Sequence, residues 1–395
     1  MKQRIITRPI LILSLVSLFT DVASEMLYPV MPLFLKSIGF TVLMIGILEG
    51  LAEATAGLSK GYFGQLSDHK GKRLPFVRFG YALSALSKPM MGLFTQVWWI
   101  FMSRTADRLG KGIRTGARDA YLSDCTTPEH KGKVFGFHRA LDTLGAFIGP
   151  VLALIYLYFF PGHYKMLFFI AFFPGIVSIL LTFIIKEQKK DAAVKAKSPG
   201  FFSFIGYLRH SSKEYKRLFA GLLAFTLFNS SDLFLILMMK HAGLEDSMLI
   251  GVYIFYNLVY AVFAYPVGVL GDRIGLKKTF IVGLSLFVIV YAGMAVSTSV
   301  TVFFILFFIY GIYAACSESI AKAWISNICK KEETATAIGA FTAFNSLFAL
   351  LSSALAGVVW LVISAQATFL MTAGAVVFII VYFAVFVPYA KVQKA

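Results

Sequence analysis

Residues 285–316, SLFVIVYAGMAVSTSVTVFFILFFIYGIYAAC, contain no charged side chain. One bilayer crossing needs about 20 predominantly apolar residues, and this run exceeds that. In lipid such a segment must satisfy its backbone N–H and C=O groups internally, so helix is the expected form. The rest of the chain agrees. Of its 395 residues, 58% are hydrophobic and only 14% charged, with forty Phe and a mean hydropathy of +0.77. Soluble domains carry about 25% charged residues, so too little polar surface exists to cover a globule.

The net charge of +17 on a soluble chain points to nucleic acid. Here the cations sit mostly between apolar runs, so the charge reads as membrane topology and nucleic acid is not an expected partner. Cys125, Cys316 and Cys329 show no paired spacing, and no metal site is expected. The start, MKQRIITRPILILSLVSLF, resembles a signal peptide. Its apolar part runs on without a convincing cleavage site, so it reads as a first span.

Twelve spans of about 20 residues can be drawn. They centre near Asp21, Glu53, Ala85, Asp107, Ala146 and Phe173, then near Phe228, Tyr260, Val288, Tyr310, Leu347 and Val377. Basic residues mark one side: Lys2, Arg4 and Arg8; Lys70, Lys72 and Arg73; Lys131 and Lys133; the Lys186–Lys197 group; Arg273, Lys277 and Lys278; Lys330 and Lys331; Lys391 and Lys394. The other side offers little beyond Lys36, Lys165 and Lys240. Both termini are therefore expected in the cytoplasm, with the chain in the inner (plasma) membrane. The expected division is an N-terminal six-helix bundle over 1–186, a cytoplasmic linker over 187–217 and a C-terminal six-helix bundle over 218–395. The linker's cations suit anionic lipid headgroups, and its FFSFIGYL piece suits a short interfacial helix.

Two loops repeat. GQLSDHKGKR begins at Gly64 and GVLGDRIGLKK at Gly268, an offset of 268 − 64 = 204 residues. Gly64, Asp68 and Gly71 match Gly268, Asp272 and Gly275, and basic Lys72 and Arg73 close the first copy. A repeat at half the chain length marks a duplicated membrane fold.

On these residues the sequence resembles the major facilitator superfamily, which carries a G-x-x-x-D-R/K-x-G-R/K-R/K loop after spans two and eight. His69 stands where the family has a basic residue after the Asp. Arg104 matches the family's span-four Arg. A span-five pattern, G-x8-G-x3-G-P-x2-G-G, is met at Gly136, Gly145, Gly149 and Pro150, while Ala153 and Leu154 replace its last glycines. The resemblance implies an all-α membrane fold of two pseudo-symmetric six-helix halves. It implies a secondary active transporter working by alternating access, not an enzyme, with the loops as a gating motif. In the family the span-five pattern accompanies drug/proton antiporters. Close helix packing at small residues, with a bend at Pro150, explains it equally well.

Charges inside the spans are the chemical signal, because they are costly in lipid and face a cavity or a partner. Asp21 and Glu25 share one face of span one, and Glu53 lies in span two. Span five carries Arg139 and Asp142. In span four, positions 104, 107, 108, 111 and 118 form one helical stripe. Counted from Val97, Asp107 and Arg108 lie about 15 Å deep. Arg118 is expected at the cytoplasmic end, snorkelling to headgroups. The deeper charges suit ion pairs among Asp107, Arg104 and Arg108, and between Arg108 or Lys111 and Asp21 or Glu53. The repeat argues for more than pairing, since 204 residues on stand Phe308, Gly311, Ile312 and Ala315.

Arg104, Arg108 and Lys111 are therefore candidate sites for an anionic solute, with Asn229, Tyr256 and Asn257 as second-half lining. Asp21, Glu25, Glu53, Asp107 and Asp142 are candidate proton carriers. No nucleotide loop or nucleophile triad is present, so no cofactor is expected. A monomer in membrane lipid moving a small, anionic organic solute with protons is the expected function. A multidrug/proton exporter and a non-transporting membrane sensor are the alternatives.

Overall fold

In the computed structural model the described residues are 5–28, 30–40, 42–187, 200–244 and 246–388. The expected loop cations Lys2, Arg4, Lys189, Lys190, Lys195, Lys197, Lys391 and Lys394 lie outside them, as does most of the linker's basic run. Sixteen α-helices are described. They are α1 Arg8–Glu25, α2 Met31–Ser37, α3 Val42–Lys70, α4 Leu74–Leu93, α5 Val97–Asp124, α6 Lys131–Phe159, α7 Tyr164–Ile170 and α8 Phe172–Ile184. They continue with α9 Ser203–His210, α10 Lys213–Phe228, α11 Leu233–His241, α12 Asp246–Ile274, α13 Leu276–Val296, α14 Val300–Ile328, α15 Thr334–Val362 and α16 Ala365–Phe386. Each expected span centre falls in a helix. Three expected spans are broken, as α1 with α2, α7 with α8, and α10 with α11.

The break between α10 and α11 departs from the continuous seventh span. Residues 229–232 are Asn-Ser-Ser-Asp, whose short polar side chains compete with helix for backbone hydrogen bonds. Asn229 ends α10, its N–H bonding Phe225 O at 2.9 Å. The α1–α2 break stands at the matching place in the repeat. The expected interfacial piece is α9, which packs on α3 with Phe204 buried against Gly61.

Among the described residues, seven helices are long and apolar enough to cross a membrane. Five of these lie after residue 250. The difference is charge: α1 alone holds Arg8, Asp21 and Glu25, and α5 holds the stripe. Large apolar side chains such as Phe79, Trp98, Tyr158 and Phe378 are exposed, as a lipid-facing surface requires.

The chain forms two compact units. Unit 1 is Met1–Thr126, Leu141–His210 and Lys330–Ala343; unit 2 is Thr127–Ala140, Ser211–Cys329 and Phe344–Ala395. In unit 1, Val22, Met26, Phe34, Met91, Ile100 and Phe168 form a buried cluster, with Phe34 and Phe168 rings 4.8 Å apart. Beside it α5 is wedged between α3 and α4 by small residues. A Cβ on Gly110 would lie 2.6 Å from Gly80 O, and one on Gly112 would strike Ser59. Small residues let helix backbones approach where lipid offers no hydrophobic drive to association.

Candidate functional site

The close approach of α3, α4 and α5 sets the span-four stripe against acids. Arg104 meets Glu49 at two points, Nε–Oε1 2.9 Å and Nη2–Oε2 2.8 Å. Asp107 gathers three cations: Lys88 Nζ and Arg104 Nη1 at 3.5 Å, and Arg108 Nε at 4.0 Å. Arg108 Nη1 also stands 3.5 Å from Glu53, whose side chain is more exposed. The pairing of Asp107 with both arginines, and of Arg108 with Glu53, is as the helical spacing implies. Glu49 was not legible as a partner from span four alone. Its signal is its i, i+4 spacing with Glu53 on one face of α3.

These groups border a cavity of about 510 Å³, counting space open to solvent. Its polar lining includes Asp21, Glu25, Lys88, Arg104, Asp107 and Arg108, with Lys111 and Arg114 completing it. Lys111 is exposed, unlike the rest of the stripe, and no ion pair or hydrogen bond of its ammonium is described. Its charge acts on Asp21, Glu25 and Glu53. Five cations and three acids thus line the cavity.

The 114–119 end of the stripe differs from expectation. Arg118 is buried at 8% exposure and Asp119 at 0%, so Arg118 does not snorkel. Its guanidinium bonds Asp119 Oδ1 through Nε and Nη2, both at 2.9 Å, and Ser17 Oγ through Nη1 at 3.0 Å. Asp119 is the adjacent acid that makes burial tolerable. Arg114 stacks 4.4 Å over the Tyr81 ring and donates to Ser84 Oγ at 2.8 Å. Arg118 Nη1 also stands 4.0 Å from Asp142. Asp21 packs beside Gly145 of α6, one turn along from Asp142, so the two acids stand on facing helices.

The span-five glycines are packing residues in both units. A Cβ on Gly149 would lie 2.7 Å from Met26 N and Val22 O of α1, and Gly145 meets Leu18 and Asp21. A Cβ on Gly136 would lie 2.5 Å from Ala264 O of α12. Pro150 sits inside α6.

The repeated loops cap helices. In unit 1, Asp68 accepts from Thr336 N and Oγ1, both at 2.6 Å, at the start of α15. It also pairs with buried Arg73 at 2.5 Å. In unit 2, Asp272 accepts from Gly132 N and Lys133 N, each at 2.8 Å, at the start of α6. Both acids meet the positive end of a helix. Gly71 (φ 61°) and Gly275 (φ 99°) turn each loop in the left-handed region that glycine favours. Gly64 and Gly268 let the same helix starts approach. Lys72 is exposed. Lys277, the counterpart of Arg73, is buried and donates to Ala384 O and Val387 O at the end of α16.

Asn229, Tyr256 and Asn257 belong to unit 2. Asn257 donates to Tyr253 O of its own helix at 3.0 Å. Where the stripe's Asp107 would repeat, Gly311 brings α14 against Val259 of α12. Close helix packing replaces charge there. Among the described residues no cluster of His, Cys, Asp and Glu fits a metal ion.

The Major Facilitator Superfamily profile matches residues 13–256 and 217–395. An uncharacterized MFS-type transporter of Methanocaldococcus jannaschii is 32% identical over 374 residues, covering 93% of this chain and 92% of the relative. The class H tetracycline resistance protein of Pasteurella multocida is 25% identical over 49% of this chain and 48% of its own. Among solved structures, the human organic anion transporter MFSD10 superposes with a TM-score of 0.80 at 16% identity, over 95% of this chain and 98% of that one. With the profile matching along the chain and a relative aligned over nearly its whole length, this chain belongs to the Major Facilitator Superfamily, as a multi-pass membrane transporter rather than an enzyme.

Proposed function

We propose that the chain carries a small, anionic organic solute across the inner membrane by alternating access, as a monomer coupled to protons, with both termini cytoplasmic. The observation that carries this reading is Lys111, exposed to a cavity with five cations against three acids. Arg104 and Arg108 are partly neutralised by Glu49, Asp107 and Glu53, and Arg114 is buried against Tyr81 and Ser84, so Lys111 is the exposed cation left for a ligand. An anion there completes a set of charges otherwise expensive in a membrane interior. The Asp21–Asp142 pair, with Glu25 beside it, supplies the proton site. Asp68 and Asp272, each holding a helix start, serve as the latches of the transport cycle.

The test is thermal unfolding of the purified protein with small mono-, di- and tricarboxylates and with cationic dyes. A bound ligand raises the melting temperature. Carboxylates are expected to stabilise the wild type and not Lys111→Gln. Stabilisation by dyes alone would overturn the reading.

Multidrug/proton export is the second reading. Its support is the likeness to a tetracycline resistance protein and the tight packing of Gly145 and Gly149 on α1. It predicts resistance to several unrelated compounds on expression.

A further inference from the structure

Unit 2 holds an interior carboxylate that the proposed anion site does not use. Asp232 stands at the break between α10 and α11 and is half-buried, so it stays reachable. Tyr310 donates its hydroxyl to Asp232 Oδ1 at 2.7 Å, and the Tyr256 ring stands against the Tyr310 ring. A phenol holds the carboxyl in place but supplies no positive charge.

Among the described residues no Lys, Arg or His nitrogen lies within ion-pair distance of Asp232. The cations of this region are committed elsewhere. Arg139 Nη2 is 2.8 Å from Glu318 and its Nε donates to Tyr260 at 2.6 Å. Lys322 Nζ is 2.9 Å from the same Glu318. The charge of Arg139 acts on Asp232 only from a distance. A carboxylate inside a membrane protein without an ion pair is the arrangement that a bound cation resolves.

Two further observations say which kind of cation. Asn229 Oδ1, at the same helix break, is buried and has no hydrogen-bond partner among the described residues. It is an acceptor in want of an N–H donor. The walls are aromatic: Tyr256 and Tyr310 rings stand 5.2 Å apart, Tyr310 and Tyr313 5.1 Å, Tyr253 and Tyr256 6.2 Å. Ring faces attract organic cations. Among the described residues no group of three His, Cys, Asp or Glu side chains gathers here as a metal ion would favour.

We propose that the α10–α11 break of unit 2 is a binding site for an organic ammonium ion, a protonated amine. Asp232 is its counter-ion, Asn229 Oδ1 its amide acceptor, and Tyr256 and Tyr310 its aromatic walls. Tyr310 also positions the carboxylate. The proposal uses residues of unit 2 alone and does not rest on the reading of Lys111.

The experiment is titration calorimetry on the full-length protein in detergent, with 2-phenylethylammonium and its neutral analogue 2-phenylethanol. The ammonium is expected to bind at least about tenfold tighter than the alcohol. Asp232→Asn is expected to weaken ammonium binding by about tenfold or more, and Tyr256→Leu by several-fold. Tyr310→Phe, which keeps the ring, should weaken it less than Asp232→Asn. Equal binding of alcohol and ammonium, no binding of either, or unchanged binding in Asp232→Asn would each overturn the proposal. So would a melting-temperature rise with sodium chloride over choline chloride that Asp232→Asn abolishes, which would assign a metal ion instead. If Asp232→Asn does not fold, the comparison of the two ligands on the wild type and on Tyr256→Leu decides.

Discussion

Arg104 and Glu49 meet side-on, with guanidinium Nε on Oε1 at 2.9 Å and Nη2 on Oε2 at 2.8 Å. The arginine side chain is buried at 7% exposure and the glutamate is at 35%. Such two-point pairs fix geometry as well as charge. The pair holds the N-terminal part of α5 to α3 beside the cavity.

Glu49→Gln is expected to lower stability by roughly 1–3 kcal/mol, the range for a hydrogen bond to a charged group. Arg104→Gln leaves the more solvated partner behind, so less of its loss comes from this pair. Thermal unfolding of both single variants and the double variant gives the coupling directly. Additive losses would refute the pair's role.

Asp68 and Asp272 answer each other in the repeat but differ in company. Both cap a helix start, while Asp68 alone also holds buried Arg73. Removing a cap costs about 1 kcal/mol. Asp68→Ala is expected to cost roughly 1–3 kcal/mol more than Asp272→Ala, because a buried arginine loses its partner. Melting temperatures of the two variants check the ranking.

Two glycines give opposite outcomes on alanine substitution. A Cβ at Gly110 would lie 2.6 Å from Gly80 O and 2.8 Å from Ser84, so Gly110→Ala is expected to cost roughly 1–3 kcal/mol through overpacking. Gly50, in α3, has nothing within 4 Å, and Gly50→Ala is expected to stabilise by roughly 0.5–1 kcal/mol. Unfolding in detergent measures both.

Asp142→Asn keeps a polar side chain but removes an ionisable group. The protein is expected to fold, to exchange substrate across liposomes, and to lose accumulation driven by a proton gradient. Full gradient-driven accumulation in this variant would show that the pair is not the coupling site.

The spans and their order were legible in the sequence because apolar run length and lipid leave one solution for the backbone, but the breaks that divide three of them into two helices each were not. The stripe of α5 was legible because helical periodicity alone aligns 104, 107, 108 and 111. The loop acids were legible as a repeat, but not what they cap. Their partners lie 140 and 268 residues away, and nothing local encodes that pairing.

What only the tertiary structure decided is which charges are neutralised and which remain. Arg118 looked like a headgroup anchor from its place in the chain. It is instead an interior residue, because Asp119, Ser17 and Asp142 converge on it from three helices. At Asp232 the helix breaks, which leaves the acid on a tyrosine of α14. Periodicity predicts the face a side chain points from. The energy of a buried charge depends on what stands opposite it, and that is set by helix packing across long sequence separations.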